Sequence, residues 1–179
     1  MWERIDEDLE RERIAEAAGR LRRGSEAFFS TVCDALQVPV VYKQNGRYEL
    51  GDFLGPAVGE YRDLLKAAIA SARSWGFQET LDRLVEIESV AKSVYARTNA
   101  EQWAVNANVH YNNWADFTAK DFRPVVDAFH DLYRIFLCSK CDRVLFRLKL
   151  GAETVGVRCG CGAVDWNLVK ADRRHSGAN

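Results

Sequence analysis

Four of the five cysteines in this 179-residue chain lie between residues 138 and 161, as Cys138-Ser-Lys-Cys141 and Cys159-Gly-Cys161, with 17 residues between the two pairs. Close-set thiol pairs at the two ends of a hairpin-length segment form the donor pattern of a structural Zn²⁺ site. The ion imposes no geometry of its own and accepts four thiolates tetrahedrally. Gly160 and Gly162 give the second knuckle backbone freedom, and with one intervening residue it is tighter than the first. The spacing predicts a zinc ribbon over residues 138–172 with Cys138, Cys141, Cys159 and Cys161 as ligands. Four protein ligands leave no position for water, so a zinc held there stabilises a fold and does not catalyse. Free thiols or an oxidised crosslink are the alternatives, and a reducing compartment favours the metal. Cys33 stands apart, in an apolar stretch from Phe28 to Leu36, and reads as a buried, unreactive thiol.

The remainder has the composition of a folded globular protein: 47% hydrophobic and 28% charged residues, with only three prolines and twelve glycines, which argues against long disordered linkers. No apolar run reaches the roughly 18 residues that span a bilayer, and Met-Trp-Glu-Arg-Ile-Asp at the amino terminus lacks a basic-then-apolar secretion signal. The expectation is a cytoplasmic protein without membrane contact. The net charge of −1 conceals an asymmetry, because residues 138–179 carry eight Lys or Arg against four acids, leaving the rest at −5. Four thiolates on one Zn²⁺ reduce that +4 to about +2, which weakens a charge-based case for nucleic-acid binding. If nucleic acid is bound, Arg147, Lys149, Arg158 and Lys170 are the candidate contacts.

Apolar spacings of three and four predict a helical bundle over residues 1–137. Trp2, Ile5, Leu9, Ile14, Ala17 and Leu21 suggest one helix over the first 23 residues, interrupted at Gly24-Ser25 before Phe28, Phe29, Val32 and Leu36. Nine of residues 3–13 are charged, so this helix buries a narrow stripe, either on the body or against another chain. Val40-Val-Tyr-Lys-Gln44, Asn45-Gly46 and Arg47-Tyr-Glu-Leu50 predict a β-hairpin near residues 40–50, since Asn-Gly suits a type I′ turn. Gly55-Pro56 is expected to open the next helix and Gly76 to close it, with a further helix over 79–97. Thr98-Asn-Ala-Glu101 has the spacing of a capping box that starts a short helix, and the Asn-rich run 106–114, with His110, suggests a turn. Thr118 or Asp121 begins the last long helix, which ends near Leu137. Three strands follow, at 143–150, 155–158 and 163–169, with a polar tail from 173 to 179 that contains His175. The fold class is therefore mainly α: a helical bundle with one β-hairpin, plus a small carboxy-terminal β zinc ribbon.

Arg123 and His130 are the one pairing that hints at catalysis. Seven residues apart, they fall about 80° to 100° from the centre of the apolar stripe of their helix. Arg-x6-His on a late helix of a helical bundle resembles the motif of HEPN-type ribonucleases, although Pro124 stands where those proteins usually have a polar residue. The resemblance implies a metal-independent endoribonuclease, with Arg123 stabilising phosphate charge and His130 in acid-base or water-positioning chemistry. A second resemblance spans roughly residues 103–170. The run Trp-Ala-Val-Asn-Ala-Asn-Val-His-Tyr-Asn-Asn-Trp, then Asp-Phe-Arg-Pro-Val-Val-Asp-Ala-Phe, then the two cysteine pairs is similar to the helical, zinc-ribbon tail of coiled-coil ATPases from bacterial conflict systems. It implies an accessory part of a phage-defence assembly. No phosphate-binding glycine loop is present, so no nucleotide cofactor is expected. The leading expectation is a non-enzymatic protein that contacts a protein partner, a second copy of itself or nucleic acid; the ribonuclease and a purely structural dimer are the alternatives.

Overall fold

The computed structural model describes residues 1–107 and 118–171, without the side chains of 100 and 102–107; the Asn-rich turn with His110 and the tail with His175 lie outside the described residues. Five helices and three strands follow in chain order: α1 (Trp2–Glu10), α2 (Ile14–Leu36), α3 (Leu50–Trp75), α4 (Gln78–Ala107), α5 (Ala119–Ile135), β1 (Phe146–Leu150), β2 (Glu153–Arg158) and β3 (Asp165–Asn167). The mainly helical architecture with a small carboxy-terminal antiparallel sheet is as the residue pattern predicts. No described helix is long and apolar enough to cross a membrane.

The expected first helix is in fact two. The chain turns at residues 11–13, where Glu12 adopts a φ of 52° and the Arg13 N–H donates to the Asp8 carbonyl. A chain so densely charged gains little from extending straight into solvent. The corner instead folds α1 back, burying Ile5 and Leu9 completely or nearly so. Asp8, 1% exposed, closes the corner by pairing with Arg13 at 2.5 Å and Arg20 at 2.6 Å. Gly24-Ser25 does not interrupt α2; Ser25 is buried and accepts a hydrogen bond from the Tyr133 hydroxyl.

The hairpin expected near residues 40–50 is absent. Those residues form a turn without paired strands, in which the Gly46 N–H donates to the Lys43 carbonyl and the Arg47 N–H to Asn45 Oδ1. The second arm is drawn into α3, because Glu49 and Asp52 cap that helix reciprocally and Asp52 also binds Lys43 at 2.6 Å. Val41 and Tyr42 are left 82% and 80% exposed. By the same capping, α3 starts at Leu50 and Pro56 falls in its second turn, not its first. Gly76 closes the helix in the left-handed conformation, as expected. Thr98 caps nothing: α4 runs through it, and its hydroxyl donates to Val94 O and Ala128 O, joining α4 to α5. Thr118 does cap α5, with Asp121 as its reciprocal partner.

An aromatic cluster connects body and ribbon. Phe28 stacks on Tyr133 at 3.8 Å, Phe29 and Tyr61 meet Phe136 edge-on at 5.6 and 5.1 Å, and Tyr61 reaches Trp166 of β3 at 5.7 Å. Leu137 then bridges Val144, and the sheet runs β1-β2-β3, with Phe146 opposite Arg158 and Val157 opposite Trp166. Gly156 is required between β2 and β3, where a Cβ would stand 2.8 Å from the Trp166 carbonyl. The ribbon lies on α3 as well as continuing from α5: Ser71 Oγ and Trp75 Nε1 both donate to the Val169 carbonyl, at 2.7 and 2.8 Å.

The Asp8 corner yields a prediction with a definite sign. Burial works to raise its pKa, but hydrogen bonding from Arg20 and the charges of Arg13 and Arg20 prevail and hold it below the ordinary 3.8. The depressed value means that its contribution is complete above the unfolded pKa and lost as pH falls through the folded one. The protection factors of α1 amides, which are corrected for the intrinsic exchange rate at each pH, should therefore fall as the solution is acidified below about 4. Asp8→Asn should give fast α1 exchange already at neutral pH, as read by mass spectrometry.

Candidate metal centre

Each cysteine pair sits on a tight reversal built in nearly the same way. Cys138 donates its backbone N–H to the carbonyl five residues on, Arg143, and Cys159 does likewise to Val164, at 2.9 and 3.2 Å. Each carbonyl accepts in return, Cys138 O from the Asp142 N–H and Cys159 O from the Gly162 N–H. The residue after the second cysteine of each pair has positive φ, 51° at Asp142 and 75° at Gly162. The missing residue of the second knuckle is thus absorbed inside the turn, and the pairing that closes it keeps the same span.

These turns bring the four sulfurs together, all within 4.8 Å of one another. Cys138 and Cys161 are 3.6 Å apart, Cys159 and Cys161 3.4 Å. A tetrahedral thiolate shell at about 2.3 Å from a zinc ion has sulfur-sulfur edges of about 3.8 Å, so the donor set fits. The separations far exceed a disulfide bond of about 2.05 Å, and all five cysteines are free. Backbone amides add what the cysteine count alone does not reveal. The Lys140 N–H points to Cys138 Sγ at 3.5 Å and the Val164 N–H to Cys159 Sγ at 3.2 Å.

The electrostatics express the conflict that a cation would resolve. For Cys159 burial acts upward, but hydrogen bonds from the Val164 amide and from Cys161 and Cys138 outweigh it and bring the thiol down to about 6. The amide of Arg143 lowers Cys141. The amide of Ala163 also acts to lower Cys161, yet the neighbouring sulfurs of Cys159 and Cys141 push it up to about 12. Crowded sulfurs share their protons unevenly, and a divalent cation at their centre would let all four ionise.

The other sequence-derived candidates are dispersed. Arg123 pairs with Asp6 of α1, while His130 meets the Trp2 ring edge-on at 5.0 Å and lies 3.9 Å from Asp131. Both thus touch α1 while their side chains stay 45% and 44% exposed. Arg147 is only 13% exposed and pairs with Glu60 of α3, so it belongs to the seam between ribbon and body. Arg158 pairs with Asp165 across β2 and β3; Lys149 and Lys170 are exposed. Sequence reasoning also missed Arg143, whose guanidinium lies over Gly160 of the second knuckle, 3.4 Å from where its Cβ would be.

No family model, curated protein or solved structure matches the chain.

Cys33, which is not part of this cluster, is 4% exposed and pushed up to about 11 by burial, with the Asp34 charge adding to it. In metal-stripped protein, iodoacetamide should modify the ribbon cysteines first, and Cys33 should react only after denaturant is added. Peptide mass spectrometry distinguishes the sites.

Proposed function

We propose that the chain is a zinc-stabilised, non-enzymatic interaction module, an accessory component of a bacterial defence assembly that contacts protein or nucleic-acid partners. The observation that carries this reading is the closed donor set: four sulfurs converge on one point with no fifth group completing an open, water-bearing site among the described residues. Cys138, Cys141, Cys159 and Cys161 would hold the ion, whose chemistry is to neutralise the thiolates and fix the two knuckles. The contact surface then consists of what the ribbon and the α3–α4 turn present together. Trp75 and Phe77 are stacked 6.2 Å apart and about half exposed, and Trp75 holds the carbonyl of Val169, next to Lys170. Exposed aromatic faces beside a cation suit either bases of a single strand or apolar side chains of a protein. The likeness of residues 103–170 to the tails of defence ATPases supplies the biological setting.

Protein purified without chelator should contain about one zinc per chain by elemental analysis, and Co²⁺ in its place should give the absorption of a tetrahedral tetrathiolate site. Cys159→Ser should lose that signature. Metal removal should shift ribbon NMR resonances while most helical circular dichroism remains. Affinity for the ion should decline as pH falls, because protons compete for the thiolates. Unchanged ribbon shifts after verified demetallation would exclude the zinc assignment.

Partner class is decided by sedimentation with RNA, DNA or the product of a neighbouring gene. A nucleic-acid complex should weaken steeply with salt. Reversing Lys149, Arg158 and Lys170 should flatten that dependence, by about one unit of slope for each phosphate that is no longer neutralised. Arg147 is unsuitable for this test, since its replacement also breaks the pairing with Glu60. Binding that is indifferent to both salt and charge reversal would rule out this surface as a nucleic-acid site.

A further inference from the structure

Val38-Pro-Val-Val-Tyr-Lys43 has the composition of a strand, yet the arm expected to pair with it runs instead into the cap of α3. Residues 38–43 nonetheless pass without a turn or bend, and burial alternates at the start: Val38 and Val40 pack on the core while Pro39 and Val41 face solvent. The segment is thus held extended on the body by alternate side chains.

In an extended chain the N–H and C=O of one residue point to one edge, and those of the next residue to the other. On the edge of residues 39, 41 and 43, Pro39 has no N–H and Lys43 is already committed. Its N–H donates to the Tyr48 hydroxyl at 3.2 Å, and its carbonyl accepts from the Gly46 N–H. That edge is closed to a further strand. On the opposite edge the Val38 N–H is taken by the Cys33 carbonyl, but the N–H and C=O of both Val40 and Tyr42 have no partner among the described residues. The side chains there are equally bare. Val41 at 82% and Tyr42 at 80% are more exposed than any other large apolar residue described.

One antiparallel two-fold register uses all four free backbone groups. It places Val41 opposite Val41 of a second copy and Val40 opposite that copy's Tyr42, so that the two Val40–Tyr42 pairs exchange two hydrogen bonds each. Pro39 then falls at a non-hydrogen-bonded position, where its missing N–H costs nothing. Tyr42 meets a β-branched side chain, a favourable cross-strand pair, and the valines meet at the close spacing of a non-hydrogen-bonded pair. No like charges face each other, because Lys43 comes opposite Pro39. Edges are ordinarily guarded by charge, but residues 35–42 carry none and Lys43 is bound to Asp52 at 2.6 Å. We propose that two copies of this chain pair through residues 40–42 as antiparallel strands, with the two-fold axis at Val41. The ribbon and the Trp75–Phe77 face take no part, so the proposal does not rest on the zinc or partner reading. Four hydrogen bonds and a few side chains make a small interface, and half-association falls at about 0.1 mM.

Sedimentation of the full chain with its metal, under reducing conditions and from about 5 μM to about 1 mM, should show monomer passing to dimer. Val41→Lys sets two like charges opposite each other and should raise the dissociation constant at least about tenfold. Tyr42→Pro, which removes a bonding N–H, should do the same. Both sites are exposed, so Tm of the dilute protein should not change in Val41→Lys, and Val90→Lys on α4 should leave the dimer intact. Mild oxidation of Val41→Cys should link two chains through residue 41, whose Cα atoms would lie about 4.5 Å apart. Gln44→Cys, about 20 Å from its counterpart, should not crosslink. Peptide mass spectrometry locates the bond. A monomer at about 1 mM, a dimer as tight in Val41→Lys, or a crosslink at residue 44 in place of 41 would each overturn the proposal. So would a monomer that captures an added extended peptide of unrelated sequence, which would assign the edge to a foreign strand.

Discussion

Phe136 and Cys138 are two residues apart, both wholly buried, and serve different cores. Phe136 is fixed among Phe28, Phe29 and Tyr61, while Cys138 brings the first sulfur to the cluster. Between them Leu137 starts the bridge to Val144. The position of the first knuckle is thereby set by aromatic packing on α2 and α3, not by the ribbon alone. Trp166 repeats the arrangement from the other side: it lies opposite Val157 in the sheet and touches Tyr61 in the body. Helical packing and metal chemistry share one framework, so a change in the aromatic cluster would be felt at the sulfurs.

Features whose cause is local were legible in the sequence. The four cysteines, the αL stop at Gly76, the Thr118 cap and the three strands each depend on neighbours within a few residues. Where tertiary partners compete, the local signal misled. Asn45-Gly46 suited a hairpin turn, but the arm after it was recruited to cap α3. Thr98 had the spacing of a cap and became a link between α4 and α5, because Ala128 lies opposite it. The break after Glu10 had no glycine or proline to announce it; a buried Asp8 and two arginines from α2 and the turn produce it.

The same distinction applies to the charges. Arg147 looked like a ribbon cation available to a partner, but Glu60, 87 residues away in sequence, takes it. Arg123 and His130 do share a helix side, as their spacing implies, and α1 borders that side through Asp6 and Trp2 while leaving both side chains nearly half exposed. Spacing revealed which residues share a face. It could not reveal what lies against that face, and for a charged residue the neighbour decides whether the charge is available.

Val169 is tied to the end of α3 by two donors, and Leu137 is bridged to Val144 and bonded to Arg134 of α5. The segment between them is therefore held at both ends by contacts that do not involve the sulfurs. Anchoring the two ends lowers the entropy that bringing the two thiol pairs together costs. The sulfurs are presented to a metal at high effective concentration. Loading and release should then act as reversible, local events on a helical platform that persists through both, unlike a free-standing zinc finger, whose entire fold comes and goes with its ion.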